Sequence, residues 1–153
     1  MPTFIIPGNH DYLQQDSSAP GLLDATIFEL ENVYLLKKTE NMIFGDIGIT
    51  TIAVDDTLKN GESFGINNIL PSFPVEFKKN VKSIVGLFHG SFGKTKLNET
   101  RIADEQNSYP LDMLNNLDIA ILGDIHLRQT GVHNNCNYGY SGSLIQQNYG
   151  ETI

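Results

Sequence analysis

Ser83-Ile84-Val85-Gly86-Leu87-Phe88-His89-Gly90 is the stretch on which the fold turns: a mostly apolar run that stops abruptly at an imidazole and a glycine. A short apolar run with such boundaries reads as a buried strand. The same construction recurs downstream, where Leu117-Asp118-Ile119-Ala120-Ile121-Leu122 ends in Gly123-Asp124-Ile125-His126. It also opens the chain, as Thr3-Phe4-Ile5-Ile6 running into Pro7-Gly8-Asn9-His10-Asp11. Each strand delivers a polar, metal-competent cluster at its C-terminal end, the edge at which open α/β sheets place their active sites. A buried strand with nothing before it is more natural in the middle of an α/β domain than at its start.

Between these strands the chain supplies shorter elements. Ala19-Pro20-Gly21 leads into Leu22, Leu23, Ile27 and Leu30, whose spacing predicts one short amphipathic helix. Val33-Tyr34-Leu35-Leu36 reads as a strand. Met42-Ile43-Phe44 and the run from Gly48 to Val54 read as a strand pair with Gly45-Asp46 as the turn. Residues 55 to 76 have no sustained period and read mostly as loop. Tyr109 to Leu114 predicts a short helix with Pro110 in its first turn. Asn137 to Tyr140 reads as a strand followed by a turn at Ser141 to Leu144.

At 153 residues the chain allows one domain with a substantial core. With 40% hydrophobic and 18% charged residues it has the composition of a folded globular protein. No apolar run approaches the roughly 20 residues of a membrane span, and the N-terminus lacks the basic and apolar regions of a signal peptide. These features predict a cytoplasmic protein with no membrane partner. The single Cys136 permits no internal disulfide and no cysteine-based zinc site. A net charge of 10 − 18 = −8 argues against non-specific wrapping of nucleic acid, but leaves room for a small metal-assisted site acting on phosphodiesters. Fifteen asparagines enrich the chain in turn-forming residues.

His10, His89 and His126 each follow a strand-like segment and sit beside Gly or Asp. Imidazole nitrogens combined with carboxylate or amide oxygens suit borderline divalent metals such as Mn, Fe or Zn. One such histidine alone is more often a loop or core residue. Three strand ends in one sheet would bring them together above a common edge.

Gly8-Asn9-His10-Asp11, His89-Gly90 and Gly123-Asp124-Ile125-His126 resemble, in order and spacing, the later motifs of the calcineurin-like metallophosphoesterases. The tail from Tyr140 to Glu151 resembles the Tyr-Pro-Gly-Ser segment of SbcD-type DNA repair nuclease subunits, including phage recombination nucleases. The resemblance implies an α/β fold, a β-sandwich flanked by helices (αββα), present over residues 1–153 as a partial domain incomplete at the N-terminus and at the C-terminus. It implies metal-dependent hydrolysis of DNA phosphodiesters by an exo- or endonuclease of double-strand-break repair or recombination. Two divalent ions are the implied cofactors, manganese first, with magnesium, iron or zinc as alternatives. DNA, an SMC-like ATPase subunit and a second copy of the chain are the implied partners.

Carried over residue by residue, the resemblance makes Asn9 and His89 ligands of the second metal and His126 a ligand of the first. His10 becomes the group that stabilises the transition state and protonates the leaving oxygen, with Asp11 orienting its ring. Asp124 stands where the family has a histidine, and as a hard oxygen ligand it would favour Mn or Mg. Alternatively, Asp124 is a turn or capping carboxylate. The family's first two motifs, Asp-x-His and Gly-Asp, have no counterpart before Gly8. The bridging carboxylate between two cations about 3.5–4 Å apart is therefore missing, and the chain alone is expected to be weakly active or inactive. A non-catalytic or split module that binds a partner is the competing reading, followed by another calcineurin-like phosphatase or phosphodiesterase.

Several other signals carry less. Gly90-Ser91-Phe92-Gly93-Lys94-Thr95 imitates a phosphate loop but has Phe88 where that pattern needs glycine. Lys94 is the substrate-binding candidate; with Lys96 it either touches a DNA backbone or belongs to a solvated loop. His133 and Cys136 have metal-like spacing, yet lie in an Asn-rich turn that reads as an exposed hairpin. Tyr138, Tyr140 and Tyr149 read as core residues before base-stacking ones.

Overall fold

A computed structural model describes residues 1–11, 23, 27, 30–53, 78–98 and 100–145. Among these residues eight strands form: β1 (Thr3–Ile5), β2 (Val33–Leu35), β3 (Glu40–Phe44), β4 (Ile47–Ile52), β5 (Ser83–His89), β6 (Ile119–Gly123), β7 (Gln129–His133) and β8 (Cys136–Tyr140). β1 and β2 make a two-stranded parallel sheet, and the rest make a six-stranded sheet in the order β3-β4-β5-β6-β8-β7. Its central strands β4, β5, β6 and β8 run parallel, while β3 and β7 close the two edges as antiparallel hairpins.

The hairpin turns follow from local chemistry. Gly45 takes φ +63° in the two-residue turn between β3 and β4. Asn134 and Asn135 take φ +44° and +70° between β7 and β8, conformations that asparagine tolerates better than most residues. The Asn-rich exposed turn at His133 to Cys136 is thus a hairpin, with β7 as its first strand. Cys136 itself points inward and is fully buried.

Register divides the large sheet into two faces. Ile84, Gly86 and Phe88 of β5 share one face with Ala120 and Leu122 of β6 and with Tyr138 and Tyr140 of β8. Phe92, Tyr109, Met113, Leu114 and Leu117, all from the β5–β6 connection, cover that face and complete the core. The opposite face carries Phe44, Ile49, Val85, Leu87, Ile119 and Ile121. The small sheet packs on its β3 end, where Phe4 meets Tyr34 at 5.2 Å and Phe44 edge-on at 5.1 Å. Ile119, Ile121 and Val132 stay 45%, 53% and 69% exposed, so β6 alternates open and buried positions although its sequence is continuously apolar.

The described residues form a β-rich fold, not the expected α/β sandwich with flanking helices (αββα). Among the described residues 41% are in strands against 10% helical, and no helix reaches seven residues. The predicted helix at Tyr109 to Leu114 is a single 3-10 turn, Leu111–Leu114, with Pro110 at its N-cap. Among its described residues the β5–β6 connection holds that turn and a second one, Glu105–Asn107. Its apolar residues lack a sustained 3.6-residue period and are interrupted by Asn107, Pro110, Asn115 and Asn116, so they cover the sheet as coil. Most of the predicted helix around Leu22 to Leu30, the stretch 55–76 and the tail beyond Ile145 lie outside the described residues. No helix of the described residues is long and apolar enough to cross a membrane.

Candidate metal centre

β5 ends at His89, whose ring is held from two sides by glycines. A Cβ on Gly8 would lie 2.7 Å from its Cε1, and one on Gly123 would lie 3.0 Å from its Nδ1. Neither position therefore accepts a side chain without moving the ring. The Gly8 loop is shaped by Asp11, whose Oδ2 accepts from the Gly8 N–H at 2.7 Å while its own N–H donates to the Gly8 carbonyl at 3.1 Å. On the far side, Gly90 N–H donates to the Gly123 carbonyl at 3.3 Å and locks the ends of β5 and β6 together.

Three donors converge on this point. His89 Nε2 lies 3.1 Å from Asn9 Oδ1 and 3.5 Å from Asp124 Oδ1. Asp124 reaches this position at φ +85°, a conformation uncommon outside glycine and seen disproportionately at functional sites. Burial pushes the His89 ring below the ordinary imidazole range, opposed by the carboxylates of Asp124 and Asp11 and reinforced by His10. A neutral imidazole keeps a lone pair available for coordination.

Asn9, His89 and Asp124 are the side chains that could offer ligands to a divalent ion at this point. The imidazole nitrogen stands 3.1 and 3.5 Å from an amide and a carboxylate oxygen, a mixed nitrogen and oxygen set of the kind borderline divalent ions accept. Among the described residues no group of three or more His, Cys, Asp and Glu side chains is gathered closely enough to hold a metal ion, so any coordination at this point depends on the Asn9 amide oxygen beside His89 and Asp124. His10 is exposed on the loop beside this point. His126 is exposed two residues beyond Asp124, and its carbonyl accepts from the Ser143 N–H at 3.0 Å. Lys94 is exposed and pairs with Glu105 at 3.3 Å.

Sequence reasoning missed the support beneath the site. Tyr140 is 2% exposed, and its hydroxyl accepts from the Phe92 N–H at 3.0 Å and donates to the Gly90 carbonyl at 3.1 Å. Thr95 Oγ1 stands 3.5 Å away. Tyr109 packs where a Gly90 Cβ would be, 2.7 Å from its Cε2. The loop that follows His89 is thereby fixed from below. Burial raises the Tyr140 phenol to about 12, so it remains a hydrogen-bond donor throughout the neutral range. A buried tyrosine at the end of a terminal strand was the available signal.

No protein-family model matches the chain. An uncharacterized protein of Acanthamoeba polyphaga mimivirus, R555, is 32% identical over 167 residues, which cover 99% of this chain and 11% of the relative. The chain thus spans about a tenth of the length of that relative.

Proposed function

We propose that the chain carries part of a metal-dependent phosphodiesterase site acting on DNA, of the calcineurin-like, SbcD-type kind that its strand-end motifs resemble. The observation that carries this reading is the convergence of Asn9, His89 and Asp124 from three distant segments onto one point at the C-terminal ends of the strands. Those three side chains would hold one divalent ion, manganese first. When bound, such an ion supplies neutralisation of phosphodiester charge and a lowered pKa for water.

The chain's own residues do the rest. Gly8 and Gly123 hold the His89 ring in place and exclude bulk from its two sides. His10, exposed on the Gly8 loop, protonates the leaving oxygen. Asp11 shapes that loop through the Gly8 N–H, and so places His10 through the backbone. In the full reading, a second ion held by His126 needs donors beyond those gathered here. The isolated chain therefore binds one ion and cleaves little.

A second reading, a module that works only with a complementing chain, is favoured by the uncovered strip of Ile119, Ile121 and Val132. The buried free thiol of Cys136 supports a reducing, cytoplasmic setting in either case. Calorimetric titration with Mn2+ of the wild-type chain and His89→Ala, followed by cleavage assays on single-stranded and duplex DNA, tests the proposal. Saturable binding lost in His89→Ala is expected. Absence of binding, or binding indifferent to that substitution, overturns the reading.

A further inference from the structure

The two edges of the large sheet are not guarded alike. β3 carries Glu40 and meets the small sheet through Phe44, whereas β7 is Gln129-Thr130-Gly131-Val132-His133, with no lysine, carboxylate, proline or bulge. Those are the devices that keep a strand edge from pairing with another chain. The turn after β7 has positive φ at both Asn134 and Asn135, so His133 and Cys136 are a hydrogen-bonded pair and the ladder alternates from there. Gly131 and Gln129 therefore turn their main-chain groups toward Tyr138 and Tyr140, while the N–H and C=O of Thr130 and Val132 point outward. Both residues are exposed, and no main-chain bond from another described residue reaches them.

This edge is complementary to itself. Turned about an axis through Gly131 and perpendicular to the sheet, a second copy sets Thr130 opposite Val132 and Gln129 opposite His133. Each Thr130 and Val132 pair then exchanges the main-chain bonds that β8 leaves free. No side chain crowds the axis, because the Tyr138 ring stands 2.5 Å from where a Gly131 Cβ would be. Both faces match. Thr130 and Val132 share the open face with Ile121 and Ile119, so pairing joins two exposed apolar strips into one. On the core face the Gln129 amide holds the main chain of Lys96 at 2.8 and 3.1 Å, and the His133 ring lies 3.1 Å from the Asp112 carboxylate. Gln129 opposite His133 thus brings the Lys96 end of one copy to the Asp112 end of the other, on both sides of the axis.

We infer that β7 is a pairing edge for a second copy of this chain: two β7 strands meet antiparallel, bonded through Thr130 and Val132, and make one continuous sheet across both copies. The contact uses no residue of the candidate metal centre and stands apart from the proposed function. A net charge of −8 on each copy opposes approach at long range. The main-chain bonds and the joined apolar strip supply the attraction, as in strand addition generally.

Sedimentation equilibrium from about 10 µM to about 1 mM chain measures the association, with EDTA present and at about 0.15 M salt, where the Debye length is about 8 Å. Hydrogen exchange locates it. The wild-type chain is expected to dimerise, and its Thr130 and Val132 amides to gain protection as concentration rises, more than those of Gln129 and Gly131, which β8 already holds. Thr130→Pro removes an outward N–H and leaves the β8 ladder bonded. Val132→Lys sets a charge on the edge. Each is expected to weaken dimerisation at least tenfold with the circular dichroism spectrum unchanged. Leu30→Lys makes the same charge change at an exposed position away from β7 and is expected to leave dimerisation as it is. Should Thr130→Pro fail to fold, Val132→Lys and the exchange pattern decide. A chain that stays monomeric over the whole range overturns the inference. So does a dimer indifferent to Val132→Lys, or one whose concentration-dependent protection falls outside β7.

Discussion

The imidazole Nε2 of His89 stands 3.1 Å from the side-chain oxygen of Asn9, across 80 positions of sequence. The contact joins the end of a central strand of the large sheet to the loop that follows the first strand of the small one. It is a relation between two sheets, and it sets the geometry on which the candidate site depends.

If the proposed ion binds, removing the His89 ring is expected to abolish that binding. Alterations outside a coordination shell cost about 10–100-fold in metal affinity, so His89→Ala, which deletes a donor, should exceed that range, and Asn9→Ala should fall within or above it. Mn2+ calorimetry measures both.

Gly8→Ala tests the cradle without touching a donor. Its Cβ would sit 2.7 Å from His89 Cε1, so the ring has to move. The expected effect is a loss on the order of tenfold in Mn2+ affinity with little change in Tm. A variant with wild-type affinity would show that the ring is not held by this contact.

The His89 environment predicts an acid limb of stability. Its folded value lies below the unfolded value near 6.5, so the unfolded chain takes up the proton first as pH falls. Stability is therefore retained above pH 6.5 and declines below it, toward the folded value. Denaturant titrations across this range should show the decline, and His89→Asn should flatten it.

Tyr140 predicts an alkaline limb with the opposite sign. The folded phenol holds its proton up to about 12 while the unfolded one releases it near 10.0, so stability falls as pH rises between these values, by roughly 2–3 kcal/mol in total. Tyr140→Phe should abolish that limb. At neutral pH it should cost about 1–3 kcal/mol, because the buried Phe92 N–H loses its acceptor.

Cys136 is fully buried, and burial raises its thiol above the ordinary range, aided by Asp118. The folded chain is expected to resist a thiol reagent at pH 8 and to react promptly in denaturant. Rapid labelling without denaturant would contradict the packing of β8 against the core.

Local chemistry made much of this legible. The continuous apolar runs at Ile84 to Phe88 and Ile119 to Leu122 form strands because β-branched and aromatic side chains suit a pleated, packed surface. Gly45-Asp46 forms a turn because glycine accepts a positive φ there. Strand ends bearing Asn9, His89 and Asp124 were legible as donors by residue type alone.

Other features are not written in any short window. The sequence places Leu111 to Leu114 in a helical neighbourhood, but helix length depends on cooperative extension, which Pro110, Asn115 and Asn116 interrupt. The continuous apolar character of β6 implied cover on both faces; only the assembled sheet shows that Ile119 and Ile121 stay exposed. Residue identity by itself determined which donors the chain offers and where its strands end, because those follow from side-chain chemistry and local period. Tertiary structure alone decided that His89 lies between Gly8 and Gly123 and above the Tyr140-braced loop, because packing across sheets acts between residues that local sequence never relates.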